Sequence, residues 1–452
     1  MFRLPAINRL GGTVCAVAGL MLLPSAAMGR VRPHYGGEVR IETSGAEAPD
    51  FVKLLVTETL TNINARGEVL PGLAVRWQSQ NGDRRWQFRL REGVQLHGTE
   101  TDSPLTAALV AETIRAGLAK SGLEARVHAG GEDVTVEFDG PMPQFAALLA
   151  GALYSVGSSD SRCMMVGSGP YAVQTIAGPR MTLVANPDYW GGRHFPETIT
   201  VLWGRSVREQ ELDLAAKRAD LIEVPPEELH RAQQERARLS KSEPAEVVVL
   251  TAQRASTSDV RLRQALSETI DRGALLNFIF QKQGEVAGAL LPNWITGYGT
   301  LLPAVRDTAH ARQLRGEVGG RAAFTLGYDG GDAEMQLLAE RLALNAREAG
   351  LTLQAVARTS DVDWLLLRIP VRTANPAAAL TEILHALHHS VELNDATLES
   401  VFRAERAAVA DYTLIPLLHL SRAWAASERL HDWSSASPLE PLPATTWVES
   451  KP

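Results

Sequence analysis

The sequence predicts an α/β protein of two or three domains, on three observations. The chain has 452 residues, more than one hydrophobic core usually supports. Residues 71–106 alternate apolar and polar side chains around a Gly-containing turn, as half-buried antiparallel strands do. Residues 324–353 read as strand, helix, strand, a βαβ unit whose handedness favours a parallel pair. The composition, 45 % hydrophobic and 21 % charged, excludes a disordered or multi-span membrane chain.

The N-terminus stands apart. Arg3 and Arg9 form a basic region, Leu10 to Leu23 carry no charge, and Ser25-Ala26-Ala27 with Gly29 supplies small residues for cleavage, so residues 1–29 read as a signal peptide. The apolar run is shorter than the roughly 20 residues of a membrane anchor, its alternative reading. Cys15 lies inside that run, which argues against a lipid anchor. Without this segment the net charge of −7 becomes −9, which argues against nucleic acid as a partner. Cys163 would then be the only thiol, leaving no intrachain disulfide and no metal-thiolate site.

Further elements follow in order. Gly36 to Thr43 reads as an opening strand. Trp77 on one side of the turn Asn81-Gly82-Asp83, and Trp86, Phe88 and Leu90 on the other, form a hairpin. Ser103-Pro104 begins a helix with Leu105, Leu109, Val110, Ile114 and Leu118 on one face. Val134 to Phe138 is a strand, and the Pro141/Pro143 pair precedes an apolar helix. Gly167-Ser168-Gly169-Pro170 specifies a sharp turn. Strands follow at 181–184, 199–203 and 219–224, with a helix near Glu209 to Arg218. The β-branched run Val247 to Leu250 crosses into a further domain. Asp259 caps an amphipathic helix with Leu262, Leu266 and Ile270 inward and its arginines outward. In the βαβ unit Asp332 caps the helix and Gly350 stops it.

Several of these pieces resemble the bacterial extracellular solute-binding proteins of family 5, the peptide/nickel type. They are PGLAVRW with WQFRLREGVQLH (residues 71–97), Gly167-Ser168-Gly169-Pro170-Tyr171, Asn186-Pro187-Asp188-Tyr189-Trp190-Gly191-Gly192, and Asp259 to Arg272. At Gly98 to Asp102 the family's His-Asp-Gly turn is altered and lengthened. The resemblance implies a periplasmic-binding-protein-like, two-lobed α/β fold (type II, cluster C-like) with mixed sheets, a split first lobe and a ligand cleft. It implies lobe I at 30–57, 165–254 and 419–452, an extra N-terminal subdomain at 58–164, and lobe II at 255–418. Gly167, Ser168, Gly169 and Pro170 would form a hinge.

For catalysis the sequence offers little: no G-x-S-x-G, H-E-x-x-H, P-loop or G-x-G-x-x-G after a strand. His385, His388 and His389 fall at i, i+3 and i+4 on a predicted helix, where they either hold Ni²⁺ or Zn²⁺ or simply form a polar face. The resemblance is most telling over residues 363–376. Where the family has an acid that meets a ligand amine, this chain has Arg372, and the family's tryptophan is replaced by Ile369. Reversing the charge of a desolvated contact turns attraction into repulsion. Arg372, with Arg368 nearby, therefore either favours an anionic or hydroxyl-rich ligand over a free amine, or both arginines simply face solvent. Trp294, Tyr298 and Trp424 are flat side chains suited to stacking on a ligand. Ser44 and Gly45 follow the first strand and could bond an extended ligand's backbone.

The expected protein is a periplasmic solute-binding component of an ABC importer, not an enzyme. It would need no cofactor or metal, work with a membrane permease, and be a monomer. The rival readings are a degenerate relative acting as receptor or chaperone, suggested by the abbreviated stretches 297–320 and 370–386, and a periplasmic hydrolase.

Overall fold

Strand pairing divides the chain into three larger sheets. The computed structural model describes residues 32–97, 103–159, 165–235, 237–318, 323–433 and 442–449. The segment read as a signal peptide, both cysteines and the lengthened turn at 98–102 lie outside them.

The first lobe is built on a seven-stranded mixed sheet. At its centre Thr198–Leu202, Glu38–Glu42 and Leu221–Val224 run parallel. Arg180–Ala185 and Tyr171–Ile176 extend it antiparallel on one side, Ala423–Ala426 and Arg238–Lys241 on the other. The helix Asp50–Val56 covers one face and contributes Val52, Leu55 and Val56 to its core.

The second lobe has a six-stranded sheet, in the order Gly284–Val286, Leu414–Leu420, Glu246–Ala252, Trp364–Pro370, Ala323–Gly327, Thr352–Val356. Its last three strands are parallel. The expected βαβ unit is there: Ala333–Arg347, capped by Asp332, joins Ala323–Gly327 to Thr352–Val356 and buries Met335, Leu338 and Leu342. Between residues 58 and 164 stands a four-stranded antiparallel sheet, Ala74–Gln80, Arg85–Leu90, Asp133–Glu137 and Arg126–Gly130. The helix Ala107–Lys120 packs on it through Val110, Ile114 and Leu118.

The chain passes between the two large sheets at 242–245 and again at 421–422. The two crossings lie side by side: Ser242 N–H donates to Arg422 O at 2.9 Å, and Arg422 N–H to Ser242 Oγ at 3.0 Å.

Four sequence expectations are corrected. Glu246–Ala252 pairs in the second sheet, so that lobe starts ahead of the boundary set at residue 255. Ser103–Pro104 is a short strand paired with Gln95–Leu96, and the helix begins after Thr106, whose side chain caps Leu109 N–H. Arg263 points inward, because the carbonyls of Thr257, Ser258 and Asp411 need its donors at 2.9, 2.6 and 2.7 Å. Residues 167–170 do not join the two large sheets. They link Met165–Gly167 to Tyr171–Ile176, and a methyl on Gly167 or Gly169 would stand 2.2 or 2.7 Å from a carbonyl of the helix behind. That segment is wedged, not hinged.

Candidate functional site

At the carboxyl end of Trp364–Pro370, next to the middle of the second sheet, Val371 still bonds Ala245 O at 2.7 Å. Arg372 comes next, then Asn375 caps the helix Pro376–Ala386. Strand ends of this kind are where open α/β sheets present ligand-binding groups. The Arg372 side chain is exposed, but into cavities: one of about 660 Å³ and one of about 420 Å³ both have it in their walls.

The larger cavity lies between the N-terminal subdomain and the second lobe. Leu123, Met142, Leu148 and Leu153 come from the subdomain, and Thr381, Glu382 and His385 from the second-lobe helix. Lys53 enters from the first-lobe helix and donates to Ala152 O at 2.8 Å. The smaller cavity lies between the first lobe and Arg372–Thr373, with Phe51, Leu55, Pro170, Tyr189 and His194 opposite.

Charge in the larger cavity is uneven. Among the described residues in its walls, Arg372 and Lys53 stand with one carboxyl group, Glu382. Burial pushes the Glu382 carboxyl up to about 7, while the Arg372 charge pulls it back. Its Oε2 is enclosed and accepts no hydrogen bond.

The wall of the smaller cavity is fixed by Glu58. Its carboxylate accepts from Ser168 Oγ at 2.7 Å, Tyr189 O–H at 3.0 Å and Trp190 Nε1–H at 2.9 Å. Burial raises the Glu58 carboxyl, and these three donors with Arg91 pull it back. Arg91 stacks over the Trp190 ring at 3.8 Å. The two motifs at 167–171 and 186–192 thus meet on one half-buried acid, which sets the shape of the cleft wall.

The other sequence candidates fall elsewhere. Trp424 is 5 % exposed, packed under the first sheet against Phe51, and is a core residue. Trp294 donates to Pro244 O at 2.9 Å beside a lobe crossing. Tyr298 bonds the buried Glu405 and packs edge-on against Phe402. Ser44 is exposed, but its N–H and hydroxyl are both committed to Glu223 Oε2 at 3.0 Å. Gly45 is exposed, and its carbonyl accepts from Gly204 N–H at 2.7 Å. Neither cavity is lined by these five residues. Arg368 spends its charge on Glu246, Asp332 and Glu334.

Of the three histidines only His385 is helical. The helix ends at Ala386 and His388 has φ +58°, so the i, i+3, i+4 face is broken. All three still line the larger cavity. Among the described residues no cluster of three or more metal-type side chains occurs.

Sequence reasoning missed Lys53, Glu58 and Glu382. None sits in a motif with chemistry of its own; each matters through what the fold brings opposite it.

Two lobes with cavities at their junction define the class of binding proteins that hold a guest between lobes. The chain belongs to the bacterial extracellular solute-binding proteins of family 5, whose middle-region family model matches residues 68–369. Protein XP55 of Streptomyces lividans is 27 % identical over 332 residues, 65 % of this chain and 60 % of that protein. The dipeptide-binding protein of Escherichia coli (strain K12) is 22 % identical over 302 residues, 57 % of this chain and 56 % of that one. These matches therefore span a little over half the length of the curated relatives. In fold, the periplasmic binding protein DppA from Helicobacter pylori in complex with peptide STSA superposes with a TM-score of 0.76 at 15 % identity, covering 92 % of this chain and 99 % of that one.

Proposed function

We propose that this protein is the ligand-capturing component of an ABC importer, acting outside the inner membrane. It takes up a small guest between its lobes, hands it unchanged to a membrane permease, and catalyses nothing. The guest is peptide-like or another small molecule, with an anionic group favoured at Arg372. The observation that carries this reading is the pair of cavities meeting at Arg372, with walls drawn from the subdomain and both lobes.

A guest there touches both lobes only when they are shut, so binding shifts the population toward the closed form. The paired crossings at 242–245 and 421–422 supply the hinge in this reading, replacing residues 167–170. Arg372 takes the place of the amine-binding acid seen in the family pattern, and its charge repels a ligand's free ammonium.

Native mass spectrometry of the purified protein identifies the guest that accompanies it. Arg372→Ala then lowers the affinity for that guest at least tenfold by calorimetry. Unchanged affinity would remove Arg372 from the site.

A further inference from the structure

We infer that the larger cavity takes a small organic anion with an apolar body, and that Glu382 must carry a proton for that anion to bind. The inference rests on the cleft reading above and deepens it. A cavity of about 660 Å³ is of the size that encloses a small organic ligand. Leu123, Met142, Leu148 and Leu153 give it an apolar side, and Arg372 with Lys53 gives it a cationic one. An acidic group on an apolar body matches both.

Glu382 sets the condition. It stands on the helix Pro376–Ala386, and Gly151 presses so close that a methyl there would lie 2.8 Å from Oε1. Ionised, it is a second anion beside Arg372 in a low-dielectric pocket, offsetting the charge a guest needs. Two acidic groups so placed cannot both ionise cheaply, and one proton between them relieves the repulsion. Protonated, Glu382 carries no charge, and the guest's acidic group meets the cationic side of the cavity without that repulsion. That its carboxyl is pushed up to about 7 by burial supports this order of events.

The other titratable and charged groups of the cavity, among the described residues, are Lys53 on the helix Asp50–Val56, Tyr154 in the subdomain, Arg372, His385 on the helix Pro376–Ala386, and His388 and His389 beyond the end of Pro376–Ala386. Tyr154 is pushed up to about 12 by burial, bonds Ser121 Oγ at 3.1 Å, and does not titrate in this range.

The test is calorimetry with N-acetyl-L-leucine as the probe and L-leucinamide, the same body with the opposite charge, as the control. Titrations at pH 6 and pH 8 in buffers of different ionisation enthalpy count protons. The expected result is binding of N-acetyl-L-leucine with close to one proton taken up at pH 8 and little at pH 6. Its affinity falls about tenfold per pH unit above 7. In Glu382→Gln the uptake vanishes and the two affinities agree within about twofold, which separates the carboxyl from the histidines. Binding at pH 8 without proton uptake, or uptake that persists in Glu382→Gln, overturns the inference. Binding of L-leucinamide alone also overturns it, yet leaves the cleft reading standing. Binding of neither overturns the inference as well, and the co-purified guest then decides the cleft reading separately.

Discussion

Glu382 shows how a single side chain links stability to the site. Its carboxyl lies at about 7 in the fold against an ordinary value of 4.5. The folded state therefore holds this proton more tightly than the unfolded chain, and the resulting stability is present below pH 4.5. It is lost as pH rises toward 7 and does not return above that. Relative to wild type, Glu382→Gln should gain stability between pH 4.5 and 7 and level off beyond, by about 3 kcal/mol in total. Urea denaturation across that range reads the difference directly; a flat difference would place the carboxyl in an ordinary environment. Neighbouring acids show why residue type alone does not reveal a role. Glu58 is held by three donors and shapes a wall, whereas Glu382 leaves one oxygen without any.

At the level of elements, the sequence was most legible where a pattern is local. The hairpin at 74–90, the capped helices after Asp259 and Asp332, and the βαβ unit lie where alternation, capping residues and periodicity put them. It was least legible where burial depends on a distant partner. Trp424 stands in Ala423–Ala426, where all four residues are buried because Phe51 and other distant side chains cover the sheet. Arg263 lies on a helix face that reads as solvent-facing until the distant Asp411 carbonyl joins those of Thr257 and Ser258 around it. The turn at 167–170, specified as sharp by its composition and expected as a hinge from the family resemblance, uses its glycines for close approach. Gly167→Ala would drive a methyl to 2.2 Å from Val56 O, a backbone atom that cannot step aside. A loss of roughly 2–3 kcal/mol is expected, seen as a lower melting temperature. A neutral effect would mean the segment can yield after all.

For the whole molecule, specific contacts among the described residues join the second lobe to the N-terminal subdomain. Ala378 of the second-lobe helix sits in the core of the N-terminal subdomain. Gln144 Nε2–H donates to Thr381 Oγ1 at 3.3 Å, and Asn375 Nδ2–H to Gly67 O at 2.9 Å. In the proposed mechanism these are contacts that opening would break and that a guest at Arg372 would reinforce. Of the candidate site as a whole, the sequence singled out Arg372 through its departure from the family pattern. The cavities around it come from three separated stretches of chain, and no spacing rule reports such a meeting.

The central claim is that the lobes close on a guest at Arg372, turning about the paired crossings. It is tested most directly by spin labels at two exposed positions, Lys217 on the first lobe and Leu337 on the second, in a Cys163→Ser background. The distance between them is measured by pulsed electron resonance with and without the co-purified guest. The account predicts a distribution that shifts and narrows when the guest is added, and that stays as in the guest-free protein for Arg372→Ala. A single unchanged distance in all samples would contradict it.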